Sequence, residues 1–354
     1  MIEPITDALR LRAMSPALRI GRGTFPTTLR ALPPGWALVT QAEPLAHVDP
    51  ELLEAAAGAP HLVDSLAPEA LARLVADLVP SSAPIVGLGG GMAMDAAKWC
   101  AWQTGRPLVL VPGVISVDAS VTNTVAVRES GGVVYHGFVV ADAIVLDPDL
   151  VGLAPARLNR AGIGDLVSIH TGLDDWRRGA AAGTIAFDDE IATQAARILD
   201  QVEALATEIG AVTDAGLESV LLAYAEVNAL CLTAGHSGPE EGSEHYFGYL
   251  LEQVTGRSFV HGELIALGTV LMATLQGNDP DRPRRILEAC RVDWSPTALG
   301  IERAALREAL LGLSAFVRAQ ALPHSVIDEA DLGPAVVDAL LARVLDPALH
   351  PTPA

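Results

Sequence analysis

The chain has 354 residues, half of them apolar, so it is long enough for two domains that each bury a core. Its formal net charge of −20 argues against nucleic acid or an anionic membrane surface as a partner, because both attract clustered Lys and Arg. Gly, Pro or charged residues interrupt the apolar stretches before they reach the roughly 20 residues of a membrane span. We therefore expect a protein that acts on small molecules, with no nucleic-acid partner and no membrane segment.

The N-terminal residues and the cysteines predict the compartment. The sequence MIEPITDALRLR lacks the basic and then apolar pattern of a secretory signal. The cysteines Cys100, Cys231 and Cys290 are scattered and odd in number, which is not typical of a disulfide framework. A reducing cytoplasm is the expected location.

From about residue 15 to residue 150, short apolar segments alternate with helical patterns. Helices are predicted over residues 67–78 and 92–103, and a hairpin with a Gly-Gly turn over residues 125–139. Alternation of this kind predicts a largely parallel sheet. The predicted strands are ALVT (37–40), PIVGL (84–88), LVLVP (108–112) and AIVLD (143–147).

Beyond residue 150 the strand pattern ends, and Ala- and Leu-rich helical patterns follow. The sequence therefore predicts an α/β domain over residues 1–150 and an all-helical domain over residues 151–354, with a Pro-rich frayed tail at residues 346–354. The predicted helices of the second domain are 155–180, 189–209, 216–233, 243–254, 262–276 and 301–319.

The most distinctive motif is Gly89-Gly90-Gly91, between a predicted strand and a predicted helix. Such a turn lets the backbone approach a pyrophosphate, whose charge is stabilised by free N–H groups and by the helix dipole. The spacing is not the GxGxxG of common Rossmann folds, and a turn that serves only tight packing is the alternative. Asp95 and Lys98, the single lysine of the chain, follow at a spacing that also suits a surface ion pair.

A second group of residues could bind a metal. Asp165 lies early in a predicted helix, and His245 and His261, 16 residues apart, lie near the starts of two more. An Asp in such a position is usually a helix cap, and most His pairs at this separation bind nothing. If the three helices are neighbours, however, the side chains form a two-His, one-carboxylate site with open positions, which suits Zn²⁺ or Fe²⁺.

Together these motifs resemble the iron-containing alcohol dehydrogenase and dehydroquinate synthase-like superfamily, and most closely its glycerol-1-phosphate dehydrogenase branch. The resemblance extends over about residues 18–275. The matching segments, in chain order, are GRGTF (21–25), GGGMAMDAAK (89–98), VPGVISVDAS (111–120), APARLNRAGIGDL (154–166) with Asp175-Trp176, and SGPEEGSEHYF (237–247) with HGE (261–263).

The resemblance implies a Rossmann-like N-terminal domain that binds NAD or NADP, followed by a helical domain that holds one divalent ion, Zn²⁺ or Fe²⁺. The residues that match the cofactor segments are Gly89, Gly90, Gly91, Asp95, Lys98 and Ser116. The residues that match the metal ligands are Asp165, His245 and His261.

The implied activity is that of a dehydrogenase of a small polyol or polyol phosphate, in which a hydride passes between a secondary alcohol or ketone and the nicotinamide. Asp118 is expected near the substrate hydroxyls, and Asp118 and His236 are the candidate proton carriers. Glu263 is the candidate in sequence to orient a ligand imidazole. We expect a homo-oligomer, a dimer or larger.

The chain departs from the family pattern at several positions. Gly113 and Val117 stand where the family usually has Thr and His, and residues 169–170 are Ile-His where the branch often has Lys and Tyr. Residues 238–241 are Gly-Pro-Glu-Glu in place of Arg-Pro-Ala-Ser, which would repel a phosphate if this loop lines the substrate pocket. A phosphate on the substrate is therefore expected to be optional. Gln41 stands where an Asp often binds the adenosine ribose, so tolerance of NADP is expected.

Two other functions stay open. A sugar phosphate cyclase would use NAD transiently, and residues 117–120, Val-Asp-Ala-Ser, resemble the VDSS segment of dehydroquinate synthase. Cyclases of that kind carry lysines around their substrate, whereas the single lysine here belongs to the glycine motif. A non-catalytic nucleotide-binding protein is the other alternative, and the presence of all three candidate metal ligands argues against it.

Overall fold

The computed structural model describes residues 7–129 and 132–345. It divides into two compact units. The sheet unit comprises the chain up to Asn159 together with Tyr224–Ala229, and the helical unit comprises Arg160–Ala223 and the chain from Leu230 onward. The predicted tail at residues 346–354 and Gly131, the first glycine of the predicted Gly-Gly turn, lie outside the described residues, and the domain limits at residues 150 and 151 stay a prediction.

The sheet unit contains eight described strands. Their bounds are β1 Leu18–Ile20, β2 Ala37–Thr40, β3 His61–Leu62, β4 Ile85–Gly89, β5 Leu108–Pro112, β6 Val125–Glu129, β7 Gly132–His136 and β8 Ala143–Leu146. Six of them form one parallel sheet in the order β1-β8-β5-β4-β2-β3, and β6 pairs with β7 in an antiparallel hairpin. The predicted parallel sheet is therefore confirmed.

The four strands at the middle of the sheet are buried along their whole length, as is usual when helices cover both faces of a parallel sheet. Their continuous runs of Val, Leu and Ile produce the pattern from which they were predicted, and the observed ends differ by at most one residue. The strands β1 and β3 have three and two residues, too few for a recognisable period, and they were not predicted.

Helices flank the strands of this sheet. They are α1 Asp7–Met14, α2 Thr24–Ala31, α3 Ala42–Leu45, α4 Pro68–Ala76, α5 Gly91–Thr104 and α6 Pro148–Val151, with a 3₁₀ turn at Pro50–Leu53. The helix α5 packs very closely on β4, because a Cβ atom at Gly87 would lie 2.6 Å from the Cβ of Ala97. This contact fixes the N-terminus of α5 at the end of β4.

The rest of the described chain is helical and contains no described strand after β8. The bounds are α7 Ala156–Ala161, α8 Ile163–Val167, α9 Ile169–Ala181, α10 Asp189–Ala204, α11 Ala206–Gly210, α12 Asp214–Ala234, α13 Ser243–Thr255, α14 His261–Gln276, α15 Asp281–Ala289, α16 Pro296–Leu299, α17 Arg303–Gln320, α18 Val326–Glu329 and α19 Pro334–Val344. The helix predicted over 155–180 is interrupted at Gly162 and Ser168, and the one predicted over 189–209 ends at Ala204 before α11 begins.

The helix α12 has the length and hydropathy of a membrane span by composition alone. Of its most apolar window, 56% is buried inside the fold. Core helices of globular proteins meet the same criterion, so this helix is weak support for a membrane segment.

The contact between β4 and α5 predicts a stability effect. Gly87→Ala places a methyl group 2.6 Å from Ala97 and 3.0 Å from Leu110, so we expect the free energy of unfolding to fall by about 1–3 kcal/mol. Gly312→Ala in α17 is the control, because its Cβ would make an ordinary contact of 3.6 Å with Leu250; we expect a gain of about 0.5–1 kcal/mol there. Chemical denaturation measures both, and equal effects would contradict the packing argument.

Candidate metal centre and cofactor site

The Gly89 to Gly91 turn lies where the order of the sheet reverses. The chain runs from β2 to β3 on one side, and from β4 to β5 on the other. Nucleotides bind at the carboxyl ends of parallel strands at such a switch point. Gln41, the residue after β2, lies beside the turn, with its Oε1 atom 3.3 Å from the position of a Cβ on Gly89. The fold thus places the glycine turn where a dinucleotide site is expected.

The turn has no room for larger side chains. Gly89 has a φ of +141°, a conformation that favours glycine. A Cβ atom would lie 3.2 Å from Val114 at Gly90 and 2.9 Å from Val117 at Gly91. Among the described residues no side chain caps the N-terminus of α5, so its first N–H groups are available to an anion.

Asp95 and Lys98 form an ion pair, with 2.8 Å between Nζ and Oδ1. Lys98 is 1% exposed and also donates to the carbonyl oxygen of Thr124 at 2.7 Å, so the pair is buried and not on the surface. Through its bond to Thr124, Lys98 connects α5 to the segment before β6. A direct role of either residue in cofactor binding stays a prediction.

Ser116 and Asp118 lie half-buried in the segment between β5 and β6. The start of this segment touches the glycine turn, because the N–H of Gly113 donates to the carbonyl oxygen of Gly89 at 2.8 Å. The carbonyl oxygen of Asp118 accepts from Val121 at 2.8 Å. The roles of Ser116 at the cofactor and Asp118 at the substrate stay predictions.

Asp165, His245 and His261 come together in the helical unit, on α8, α13 and α14. One ligand atom of each lies within 4.8 Å of the others. Nε2 of His261 is 3.4 Å from Oδ1 of Asp165, and the two imidazole centroids are 5.4 Å apart. Ligand atoms of a tetrahedral zinc site with bonds of about 2.1 Å are roughly 3.4 Å apart, so small shifts suffice. These residues fit one divalent ion.

Two glycines explain how α8 and α14 approach each other. A Cβ atom at Gly164 would lie 1.8 Å from the carbonyl oxygen of Gly262, so the two backbones are in direct contact. Asp165 follows the first glycine and His261 precedes the second. The contact of the glycines therefore places a carboxylate and an imidazole side by side.

A third glycine brings α13 against α14. A Cβ atom at Gly268 would lie 2.7 Å from the carbonyl oxygen of Glu244. His245 is the next residue on α13. The helix α14 thus contacts both of the other ligand-bearing helices through glycines.

Glu244 orients the imidazole of His245. The Oε1 atom of Glu244 accepts from Nδ1 of His245 at 2.8 Å and from the N–H of Gly242 at 2.5 Å. Its Oε2 atom accepts from the hydroxyl of Thr171 at 2.7 Å, and the side chain is fully buried. Nε2 of His245 is left as the metal-binding atom. The residue that orients His245 is therefore Glu244, and a role of Glu263 at a ligand imidazole stays a prediction.

The carboxylates at this centre change the pKa of His245. Burial alone would lower it, but three carboxylates outweigh burial and raise the pKa to about 9. They belong to Glu241, Glu244 and Asp165. In the metal-free protein a proton therefore occupies His245 at neutral pH, and a metal ion has to displace it.

Asp175 supports the helix that carries His245. Its Oδ2 atom accepts from the N–H of Ser243 at 2.8 Å, and its Oδ1 atom accepts from the N–H of Val326 at 2.8 Å. Burial and the nearby carboxylate of Glu244 raise the pKa of Asp175 to about 6. Asp175 therefore joins α9 to the starts of α13 and α18. The Asp of the Asp175-Trp176 motif thus has a structural role.

His236 lies in the loop between α12 and α13. Its Nδ1 atom accepts from the N–H of Gly238 at 3.0 Å, and its ring packs edge-on against Trp176 with centroids 5.1 Å apart. Burial lowers the pKa of His236, so the ring is neutral at pH 7 and carries its proton on Nε2. Its role as a proton carrier stays a prediction.

The family model and the relatives that match this sequence point to the same family. Residues 40–155 match the family model described as iron-containing alcohol dehydrogenase. A glycerol-1-phosphate dehydrogenase (NAD(P)+) of Cenarchaeum symbiosum is 31% identical over 260 residues, which cover 71% of each chain. The enzyme of the same description from Aeropyrum pernix is 29% identical over 73% of each chain. The chain belongs to the iron-containing alcohol dehydrogenase family.

Solved structures of other enzymes share the fold. Glycerol dehydrogenase from Schizosaccharomyces pombe matches with a TM-score of 0.72 at 21% identity, and covers 95% of this chain and 90% of its own. Sulfoacetaldehyde reductase from Bifidobacterium kashiwanohense, in complex with NAD+, matches with a TM-score of 0.62 at 16% identity, and covers 94% and 97%. The predicted order of an α/β domain and a helical domain is thus confirmed for this member of the family.

The glycine turn predicts a cofactor effect. Gly90→Val adds side-chain atoms to a position where Cβ alone approaches Val114 to 3.2 Å, so the space for a pyrophosphate is filled. We expect the binding of NADH and NADPH to be lost, as measured by nicotinamide fluorescence. The metal content of the variant, whose ligands belong to the other unit, is the control for folding. Unchanged cofactor affinity would contradict the assignment.

The pKa of His245 predicts a pH-dependent metal affinity. Because the bound metal replaces a proton that leaves only near pH 9, Zn²⁺ affinity should rise by about tenfold per pH unit from pH 6 to pH 8. Titrations in zinc buffered by a chelator measure this slope. Glu244→Gln should bind Zn²⁺ about 10–100-fold more weakly at pH 8, because the orienting carboxylate is lost. A flat pH profile would contradict the displacement of a proton.

Proposed function

We propose that this member of the iron-containing alcohol dehydrogenase family is a metal-dependent, NAD(P)-linked dehydrogenase or reductase of a small polyol or polyol phosphate. The observation that carries the proposal is the convergence of Asp165, His245 and His261, whose ligand atoms lie within 4.8 Å of one another. The glycine turn at the switch point of the sheet supplies the second element, a site for a dinucleotide. The relatives named glycerol-1-phosphate dehydrogenase support a polyol as the substrate class.

The residues of the metal centre have separable tasks. A bound Zn²⁺ or Fe²⁺ would supply Lewis acidity, which lowers the pKa of an alcohol or polarises a ketone. Asp165, His245 and His261 would hold the ion, and Glu244 keeps the imidazole of His245 in the tautomer that presents Nε2. Asp175 keeps the first turn of α13 in place.

The cofactor and the remaining catalytic residues are proposed as follows. Gly89, Gly90 and Gly91 hold the pyrophosphate of NAD or NADP, and Gln41 beside the turn leaves room for either cofactor, because it carries no charge to repel a 2′-phosphate. Asp118 hydrogen-bonds a substrate hydroxyl, and the neutral His236 exchanges a proton. We further propose a cytoplasmic homo-oligomer.

The sugar phosphate cyclase reaction is disfavoured by the environment of Lys98. Its ammonium group is buried, pairs with Asp95 and donates to Thr124. The single lysine of the chain is therefore occupied within the sheet unit and does not supply the cation that a cyclase uses around its substrate phosphate.

The proposed function predicts metal-dependent oxidation of reduced nicotinamide. The protein loaded with Zn²⁺ or Fe²⁺ should consume NADH or NADPH with a small ketose or dihydroxyacetone over many turnovers, whereas a cyclase would recycle its cofactor. His261→Ala should still bind the cofactor but lose the metal and nearly all turnover, because one of three ligands is missing.

His324→Ala is the matched control, because that histidine pairs with Glu329 and is not one of the three ligands. It should keep full activity. A wild-type enzyme that is fully active without a divalent ion, or an active His261→Ala variant, would contradict the proposal.

A further inference from the structure

We propose that Glu241 selects the charge of the substrate, so that the enzyme discriminates against phosphorylated polyols and accepts uncharged ones. This inference rests on the proposed function and narrows its substrate class. It concerns one position in the segment 238–241, where the chain has Gly-Pro-Glu-Glu.

The first observation is the position of the Glu241 carboxylate. Its Oε1 atom lies 3.9 Å from Nε2 of His245. That nitrogen is the one that would bind the metal, because Nδ1 is held by Glu244 at 2.8 Å. Glu241 therefore faces the metal side of the imidazole.

The second observation separates Glu241 from the metal ligands. The group of ligand atoms that lie within 4.8 Å of one another consists of Asp165, His245 and His261 and does not include Glu241. The side chains of Glu241 and His261 are 35% and 40% exposed, whereas those of His245 and Asp165 are 3% and 7% exposed. Glu241 thus lies with His261 on the solvent side of the centre, the side from which a substrate reaches an open metal position.

The charges at the centre decide which substrates fit. Asp165, Glu241 and Glu244 bring three carboxylates to the two imidazoles, so a divalent ion does not neutralise the group. A phosphate monoester would add about two more negative charges at neutral pH. Like charges at a binding site discriminate against a ligand even when its other contacts are good. An uncharged polyol of the same skeleton lacks this repulsion.

The same segment offers no compensating cation. Residues 238–241 are Gly-Pro-Glu-Glu and contain no basic side chain, and the N–H of Gly238 donates to Nδ1 of His236. The arginines of the helical unit for which ion pairs are described are paired with carboxylates elsewhere. These pairs include Arg178 with Asp174 and Glu329, and Arg282 with Asp200 and Glu203.

The experiment compares dihydroxyacetone with dihydroxyacetone phosphate as substrates of the metal-loaded enzyme. Wild type should have the higher kcat/KM with the uncharged ketone. Glu241→Gln keeps the size of the side chain and removes its charge, and Glu241→Ser removes the charge and shortens the side chain. Both should shift the ratio of kcat/KM values toward the phosphorylated ketone by about tenfold or more, mainly through its KM. In wild type the discrimination should weaken as salt is added.

Glu308→Gln is the control for net charge, because Glu308 is an exposed residue of α17 outside the ligand group. It should leave the ratio unchanged. Calorimetric titration of the zinc-loaded proteins with glycerol 1-phosphate gives a readout independent of turnover, and Glu241→Gln should bind it about tenfold more tightly than wild type does.

Three results would overturn the inference. One is a wild-type preference for the phosphorylated ketone, and another is a Glu241→Gln variant with unchanged selectivity and unchanged affinity for glycerol 1-phosphate. The third is a loss of Zn²⁺ affinity of about a hundredfold in that variant with the discrimination intact, which would make Glu241 a ligand. If wild type turns over neither ketone, the proposed function fails, whereas the calorimetric comparison still tests Glu241.

Discussion

The direct backbone contact between α8 and α14 at Gly164 and Gly262 is the constraint on which the metal centre depends. A Cβ atom on Gly164 would overlap the opposite carbonyl oxygen at 1.8 Å, so the helices reach this distance only with glycine there. Asp165 and His261 are the neighbours of these glycines, and their ligand atoms lie 3.4 Å apart. The third ligand arrives through the similar approach of α13 to α14 at Gly268. The centre is therefore a product of helix packing, and its ligands are positioned on rigid elements.

This packing concentrates negative charge in a buried place. Asp165, Asp175 and Glu244 are buried residues, and burying carboxylates costs free energy unless cations or hydrogen bonds compensate. Backbone N–H groups compensate Asp175, which accepts from two of them. The proton on His245 compensates Glu244 and Asp165 in part, and a divalent ion would do so more completely. Metal binding should thus stabilise the helical unit as well as serve the chemistry.

An element of the fold could be predicted from the sequence where its hydrophobic pattern is clear. The buried central strands have continuous apolar runs, and the sequence located all four of them, whereas β1 and β3 are too short to show a period. The interruption of the first long helix at Gly162 and Ser168 was missed, because the apolar period continues across both positions. The burial of the Asp95 and Lys98 ion pair was also missed. A separation of three residues indicates that two side chains are neighbours on a helix, but it does not indicate whether they are buried.

The site was predictable only in part. Spacing alone left the two histidines ambiguous, and their assignment with Asp165 came from the resemblance to a family. The role of Glu244 depends on a contact between adjacent residues at a helix start, where the usual helical spacings of three and four do not apply. The sequence suggested that segment 238–241 carries an unfavourable charge for phosphate, but only the structure shows that Glu241 faces Nε2 of His245.

The most direct test of this account is a diffraction experiment on crystals of the metal-loaded protein, at wavelengths on either side of the absorption edge of the bound metal. The account predicts one anomalous peak in the helical unit, within bonding distance of a carboxylate oxygen of Asp165 and of Nε2 of both His245 and His261. The Nδ1 atom of His245 should still be held by Glu244. A peak bound to a different set of residues, or a fully loaded and active protein with no peak between these three side chains, would contradict it.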